Sequence, residues 1–218
     1  ASANCGLYCG AKIDFVDINL ETGNMDVEKL KQKLLIAKKK NKLPKIVVPV
    51  HFAGQPSEQI EIWKLSKKYG FKIIEDASHS LGANNQKEPV GSCKWSDITV
   101  FSFHPVKIIT TCEGGACLTN DMVLYEKMYN LRSHGLVRNP KDMVNKKHGS
   151  WYYEQRFLGF NYRLNDLQAA LGINQIKRLK SFISERHKIA SLYEKLFENN
   201  KNVITPYQHE KSFSSFHL

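Results

Sequence analysis

The chain has 218 residues, a formal charge of +11 from 32 Lys and Arg against 21 Asp and Glu, and the apolar and charged fractions of an ordinary globular protein. Its five cysteines (Cys5, Cys9, Cys93, Cys112, Cys117) are odd in number and lack C-x-x-C spacing, which argues against a disulfide framework or a zinc knuckle. No apolar run is long enough to span a bilayer, and the N-terminus has no charged-then-apolar export pattern, so a soluble, cytoplasmic protein with reduced thiols is expected.

Taken in chain order, the pattern alternates strand and helix. Residues 13–18 predict a short strand, followed by the turn Glu21-Thr22-Gly23-Asn24. A helix then starts near Asp26, a plausible N-cap. Between Lys29 and Lys45 lie eight lysines and no acid. That run is either an anion-binding patch or the solvated face and exit of the helix, where late positive charge suits the macrodipole; no aromatic residues interleave it as a nucleic-acid groove requires. Residues 46–50 (Ile-Val-Val-Pro-Val) read as a buried parallel strand. After the breaker Gly54-Gln55-Pro56, Ser57 is a candidate cap for a helix reaching Tyr69, with Ile60, Trp63 and Leu65 as apolar positions and Gly70 as the stop. Strands follow at 71–74, 97–103 and 116–119, then a helix from Asp121 to Arg132. Residues 137–149 are basic, contain Asn139-Pro140, and predict a mobile loop; a long helical stretch opens around residues 162–171 and runs to about Phe197. A further strand is expected near 212–215. The order and short loops predict an α/β sheet with crossover helices. The small-residue, apolar start and the stop at Phe216-His217-Leu218 lead us to expect a chain truncated at both ends.

Chemistry concentrates after two of these strands. Lys107 follows the strand at 97–103 and is hemmed in by Ser102, His104, Thr110 and the turn Glu113-Gly114-Gly115. A desolvated lysine loses its proton more readily, and the neutral amine can attack a carbonyl to form a Schiff base. Asp76 and His79 follow the strand at 71–74, and ligands in open α/β sheets bind beyond the carboxyl ends of strands. Pyridoxal phosphate needs both kinds of partner, a lysine for its aldehyde and an acid for its ring nitrogen. Alternatives remain open at this point. Asp76 can cap a turn, and His79 and His104 can be packing histidines. His51 is either core or the edge of a site. A Ser-His-Asp set can be composed from Ser102, His79 and Asp76, although no G-x-S-x-G elbow exists. No metal-ligand spacing, G-x-G-x-x-G or Walker motif occurs.

The segments Glu75-Asp76-Ala77-Ser78-His79-Ser80-Leu81-Gly82, Phe101-Ser102-Phe103-His104-x-x-Lys107, Thr111-Cys112-Glu113-Gly114-Gly115 and Gly159-Phe160-Asn161-Tyr162-Arg163 resemble, in order, motifs of the DegT–DnrJ–StrS family. These are pyridoxal-phosphate sugar aminotransferases with the three-layer α/β/α large domain of fold type I and a mixed, mostly parallel sheet. Ser78-His79 and Arg132-Ser133-His134-Gly135 resemble the pseudaminic-acid branch, which aminates the C4 keto group of a UDP-4-keto-6-deoxy-N-acetylhexosamine. The resemblance implies that Lys107 bonds the cofactor aldehyde and shuttles a proton. It implies that Asp76 pairs with the ring nitrogen, His79 contacts the ring or its phenolic oxygen, and Ser102 binds the phosphate. It further implies that Asn161 reaches a partner subunit's cofactor across a homodimer interface; Arg163 belongs to the same motif. Residues 1–180 would then be part of the cofactor-binding large domain, and 181–218 a connecting helix and the start of a small domain. The substrates would be a nucleotide sugar and an amino acid, glutamate by expectation, with no nucleic acid or membrane as partner. Other readings are a dehydratase of the same family, which carries His in place of the Schiff-base lysine, and a non-catalytic basic binding module.

Overall fold

Alternating burial along two neighbouring strands decides which side chains face a helix layer and which face a cleft. The computed structural model describes residues 1–145 and 148–218. Its elements are α1 (Ser2–Tyr8), α2 (Val27–Lys39), β1 (Ile46–Val47), α3 (Gln59–Tyr69), β2 (Lys72–Asp76), the two-residue strands β3 (Asn84–Asn85) and β4 (Glu88–Pro89), β5 (Ile98–Ser102), β6 (Gly115–Leu118) and α4 (Met122–Leu131). They continue with β7 (Leu136–Val137), β8 (Glu154–Gln155), α5 (Asp166–Lys177), α6 (Leu179–Phe197) and β9 (Ser212–Phe213). The main sheet runs β1-β2-β5-β6, the first three strands parallel and β6 antiparallel. It is the mixed sheet of the expected α/β fold.

Leu30 and Leu34 of α2, Ile62 and Tyr69 of α3, and Val47, Phe71 and Ile73 beside them form the larger core cluster. Leu34 is 1% exposed, so truncating it to Ala costs roughly 2–5 kcal/mol in transfer and cavity terms. The helices begin and end on local chemistry. The Asp26 carboxylate accepts from Lys29 N and caps α2, and Asp121 accepts from Val123 N and Leu124 N at the start of α4. Gly70 stops α3 in the left-handed region at φ 79°. Lys38 and Lys39 occupy the last turn of α2, while Lys31 pairs with Glu28 at 3.3 Å and Lys33 with Asp14 at 2.7 Å. Among the described residues, no helix is long and apolar enough to cross a membrane.

Three local expectations are corrected, and one segment gains local detail. Residues 13–18 make no strand; an isolated bridge joins Ile18 to Met25, and Val16 packs on the α2–α3 core. Ser57 does not cap α3, since its hydroxyl lies 3.2 Å from His51 Nδ1 and the N-cap position falls to Glu58 without a side-chain bond. The long helical stretch breaks at Arg178 into α5 and α6, and α5 starts one turn later than its motif, at an Asn165–Gln168 capping box. The basic segment after Val137 holds a turn of 3₁₀ helix (Pro140–Asp142), and the Glu154 carboxylate accepts from Val144 N and Asn145 N at 2.8 Å each. Lys146 and Lys147 of that segment lie outside the described residues.

Candidate active site

Because β1, β2 and β5 are parallel, their carboxyl ends open on one side of the sheet, where the chain leaves toward His51, Asp76 and Ser102. Asp76 closes β2 opposite Val100 of β5, and Val50 forms an isolated bridge to it beyond β1, which stops at Val47 and is shorter than the strand expected over 46–50. Its side chain is half-buried on the sheet face opposite Ile73 and Glu75. Oδ2 accepts from the Ser2 hydroxyl at 2.5 Å, and Oδ1 accepts from Ser78 N at 3.1 Å. Burial by itself raises the carboxyl's pKa, but these donors and the His79 charge outweigh it and hold Asp76 below its ordinary value. The result is a carboxylate that stays ionised while partly shielded from water.

His79 stands next to it. Its Nδ1 accepts from Ala53 N at 3.3 Å, and its ring lies 4.4 Å, centroid to centroid, from that of His217. Burial lowers the His79 pKa, the positive charge of Lys107 lowers it further, and Asp76 pulls the other way. Lys107 itself is half-buried, on a turn closed by its own N–H to His104 O at 2.9 Å. Lys107 Nζ enters no ion pair or hydrogen bond among the described residues.

Ser102 ends β5, the strand beside Asp76, and is paired with Gly115 of β6. Its Oγ accepts from His104 N at 3.4 Å. Asn161 is not gathered into this group. It is exposed and bridges to Ser133, at the end of α4. Arg163 is exposed as well. His104 is exposed, with Nδ1 accepting from Val106 N and Nε2 3.9 Å from Glu113.

The other face of β2 belongs to the interior. Glu75, 1% exposed, accepts from Thr99 Oγ1 at 2.7 Å and from the Gln59 amide, with His51 Nε2 3.8 Å away. Burial raises the Glu75 pKa, and His51, Thr99 and Gln59 together more than offset it, leaving it lowered. His51 is fully buried, and its Nδ1 accepts from Ser57 N at 3.1 Å. That resolves its two readings in favour of the core.

Two groups at the site escaped the sequence reading. Ser2 is a lone hydroxyl in a small-residue run, and no spacing ties it to Asp76. His217 is remote in sequence from Lys107 and His79, and the pairing of β9 with β3, with the bonds of the following residues to Ala53 and Gly54, brings its segment back to them.

The chain matches the model of the DegT/DnrJ/EryC1/StrS aminotransferase family over residues 1–218. It is 44% identical to a UDP-4-amino-4,6-dideoxy-N-acetyl-beta-L-altrosamine transaminase of Campylobacter jejuni, a match covering 100% of this chain and 54% of that protein. Among solved structures it resembles the Helicobacter pylori aminotransferase PseC, involved in the biosynthesis of pseudoaminic acid, with TM-score 0.83 and 34% identity over 99% of this chain and 53% of that one. It also resembles the PLP form of a Streptococcus pneumoniae sugar aminotransferase, with TM-score 0.80 and 25% identity over 99% of this chain and 56% of that one. The chain thus spans about half the length of the curated relatives it matches.

Proposed function

Because this chain belongs to the DegT/DnrJ/EryC1/StrS aminotransferase family, we propose that it binds pyridoxal phosphate and moves an amino group from glutamate to the 4-keto carbon of a UDP-4-keto-6-deoxy-N-acetylhexosamine. The carrying observation is that Asp76 and Ser102 close two neighbouring parallel strands, with His79 and Lys107 in the turns that follow them. That donor set fits the cofactor's chemistry: an anion kept ionised for a protonated ring nitrogen, and an unpaired amine for an aldehyde. When bound, the cofactor supplies an electron-accepting ring and a carbon that carries nitrogen between two substrates.

The remaining work falls to the chain's own groups. Lys107 would hold the cofactor through its aldehyde, and its Nζ, once released, would serve as the base and acid that moves the donor's proton. Asp76 keeps positive charge on the ring nitrogen, and its two donors prevent it from rotating away. Ser102 supplies a hydroxyl for the phosphate. His79, with Nδ1 occupied by Ala53 N, offers Nε2 to the ring or its phenolic oxygen. Lys107 itself speaks against the dehydratase reading, which places histidine there. The lysine run does not favour a nucleic-acid module, since two of its members are already paired with carboxylates.

The reading extends to assembly. Asn161 serves the partner subunit's cofactor in a homodimer, and it is flanked by Leu158, Phe160 and Tyr162, exposed by 92%, 58% and 74%. Apolar surface of that density beside a polar side chain is the composition of a subunit interface. Residues 1–180 form part of the cofactor-binding large domain, and 181–218 a connecting helix and the beginning of a small domain. The free cysteines suit the cytoplasm. The test is product analysis of the protein supplied with pyridoxal phosphate, glutamate and a panel of 4-keto sugar nucleotides. A C4-aminated sugar with 2-oxoglutarate is expected; loss of a sugar hydroxyl, or no amination of any panel member, contradicts the reading.

A further inference from the structure

The segment after β9 is more firmly fastened than its position in the sequence suggests. Ser214, Ser215 and His217 are buried. Ser215 N donates to Gly54 O at 3.1 Å, and Ser215 Oγ donates to His79 O at 2.9 Å. His217 N donates to Ala53 O at 2.8 Å. From α6, Arg186 Nη1 donates to Phe216 O at 3.0 Å and to His217 O at 2.9 Å, and His187 Nε2 lies 2.8 Å from Ser214 O. Gly54 is a glycine for this reason. Its φ is 107°, and a Cβ there would sit 2.8 Å from Phe216 N and 2.9 Å from His217 N.

These bonds converge on His79. The Ala53 peptide accepts from His217 through its carbonyl and donates to His79 Nδ1 through its N–H, and Ala53 holds a φ of 56° that a non-glycine residue rarely adopts. The His79 ring has the His217 ring at 4.4 Å on one side, and Phe52 at 6.1 Å. A ring nitrogen that accepts from a backbone N–H carries no proton of its own, so neutral His79 is the Nε2–H tautomer. Its Nε2 finds no partner among the described residues. His217 Nδ1 is buried without a hydrogen-bond partner among the described residues, as is His51 Nε2 in the core, so the His217 ring is held here by packing and not by a side-chain bond.

We propose that His217 is a positioning residue of this site, clamping the His79 ring through stacking and through the Ala53 peptide so that Nε2–H is the atom His79 presents to a ligand. That this ligand is the cofactor rests on the proposed function; the clamp itself does not. The clamp adds no charge beside Lys107. Burial, with the positive charges of His79, Lys107 and Arg186, lowers the His217 pKa to about 4, so its ring is neutral at physiological pH.

The test is long-range proton–nitrogen NMR of the imidazoles in histidine-labelled protein without cofactor, on the wild type, H217F and H217A. The wild type should show His79 protonated at Nε2 alone. Both variants keep the backbone bond from residue 217 to Ala53; H217F, which keeps a flat ring, should retain that state, whereas H217A, which removes the ring that holds the imidazole against Ala53 N–H, should let the proton distribute between both nitrogens. In protein loaded with pyridoxal phosphate, H217A should shift the pH midpoint of the visible absorbance, and H217F should restore it. A wild-type His79 protonated at Nδ1, or averaging between tautomers, overturns the clamp without any variant needing to fold. So does a folded H217A with an unchanged His79 spectrum. Absence of cofactor absorbance together with the expected His79 spectra upholds the clamp and refutes the proposed function instead.

Discussion

Glu75 and Asp76 are adjacent carboxylates on one strand, and the pleat sends them to opposite faces of the sheet. Glu75 is sealed in, with Thr99, Gln59 and His51 around it, all supplied by this chain. Asp76 is half-open, held by one hydroxyl and one backbone N–H beside an imidazole. Both are kept ionised, but by different means and to different ends. A buried carboxylate with its donors in place fixes strand against helix, whereas a partly open one keeps capacity for a positively charged ligand. Residue type does not separate these roles; strand parity and neighbours do.

The difference can be broken by exchanging each acid in turn. Asp76→Asn removes the charge but keeps one oxygen to accept from Ser78 N, its amide facing the Ser2 hydroxyl, which can turn to accept. Its expected effect is a fall in transamination of roughly 10²–10³-fold, the scale for losing one preorganised electrostatic partner, with little change in unfolding free energy. Glu75→Ala should do the reverse. It strands Thr99, Gln59 and His51 in the interior and costs about 3 kcal/mol of stability, given that each unsatisfied buried group costs about 1–3 kcal/mol. Because the folded Glu75 lies below its ordinary value of 4.5, its contribution is complete above that pH and lost as pH falls through the folded value. The stability gap between wild type and Glu75→Ala, read by denaturant titration, should therefore narrow on acidification below about pH 4.5. Equal losses of activity and stability in both variants would erase the distinction.

Much of this arrangement was legible from the chain. The caps at Asp26 and Asp121 and the stop at Gly70 act through neighbours a few residues away, so local spacing reveals them. The placement of Asp76, His79 and Lys107 after β2 and β5 was legible because parallel strands put their following residues on one side. What was not legible depended on distant partners. Ser57 looks like a helix cap until His51 is seen to take its hydroxyl. Residues 13–18 carry a strand's composition but meet the helical core instead of a sheet edge. Ser2 and His217 come from the two ends of the chain, and only the folded topology brings them to Asp76 and His79.

The central claim is that Lys107 is the amine that bonds the cofactor. Incubating the protein with pyridoxal phosphate, reducing with borohydride and mapping the modified peptide tests it directly. The account predicts a single reduced pyridoxyl adduct on Lys107, absent from Lys107→Ala. An adduct spread over the surface lysines, or undiminished in that variant, would contradict it.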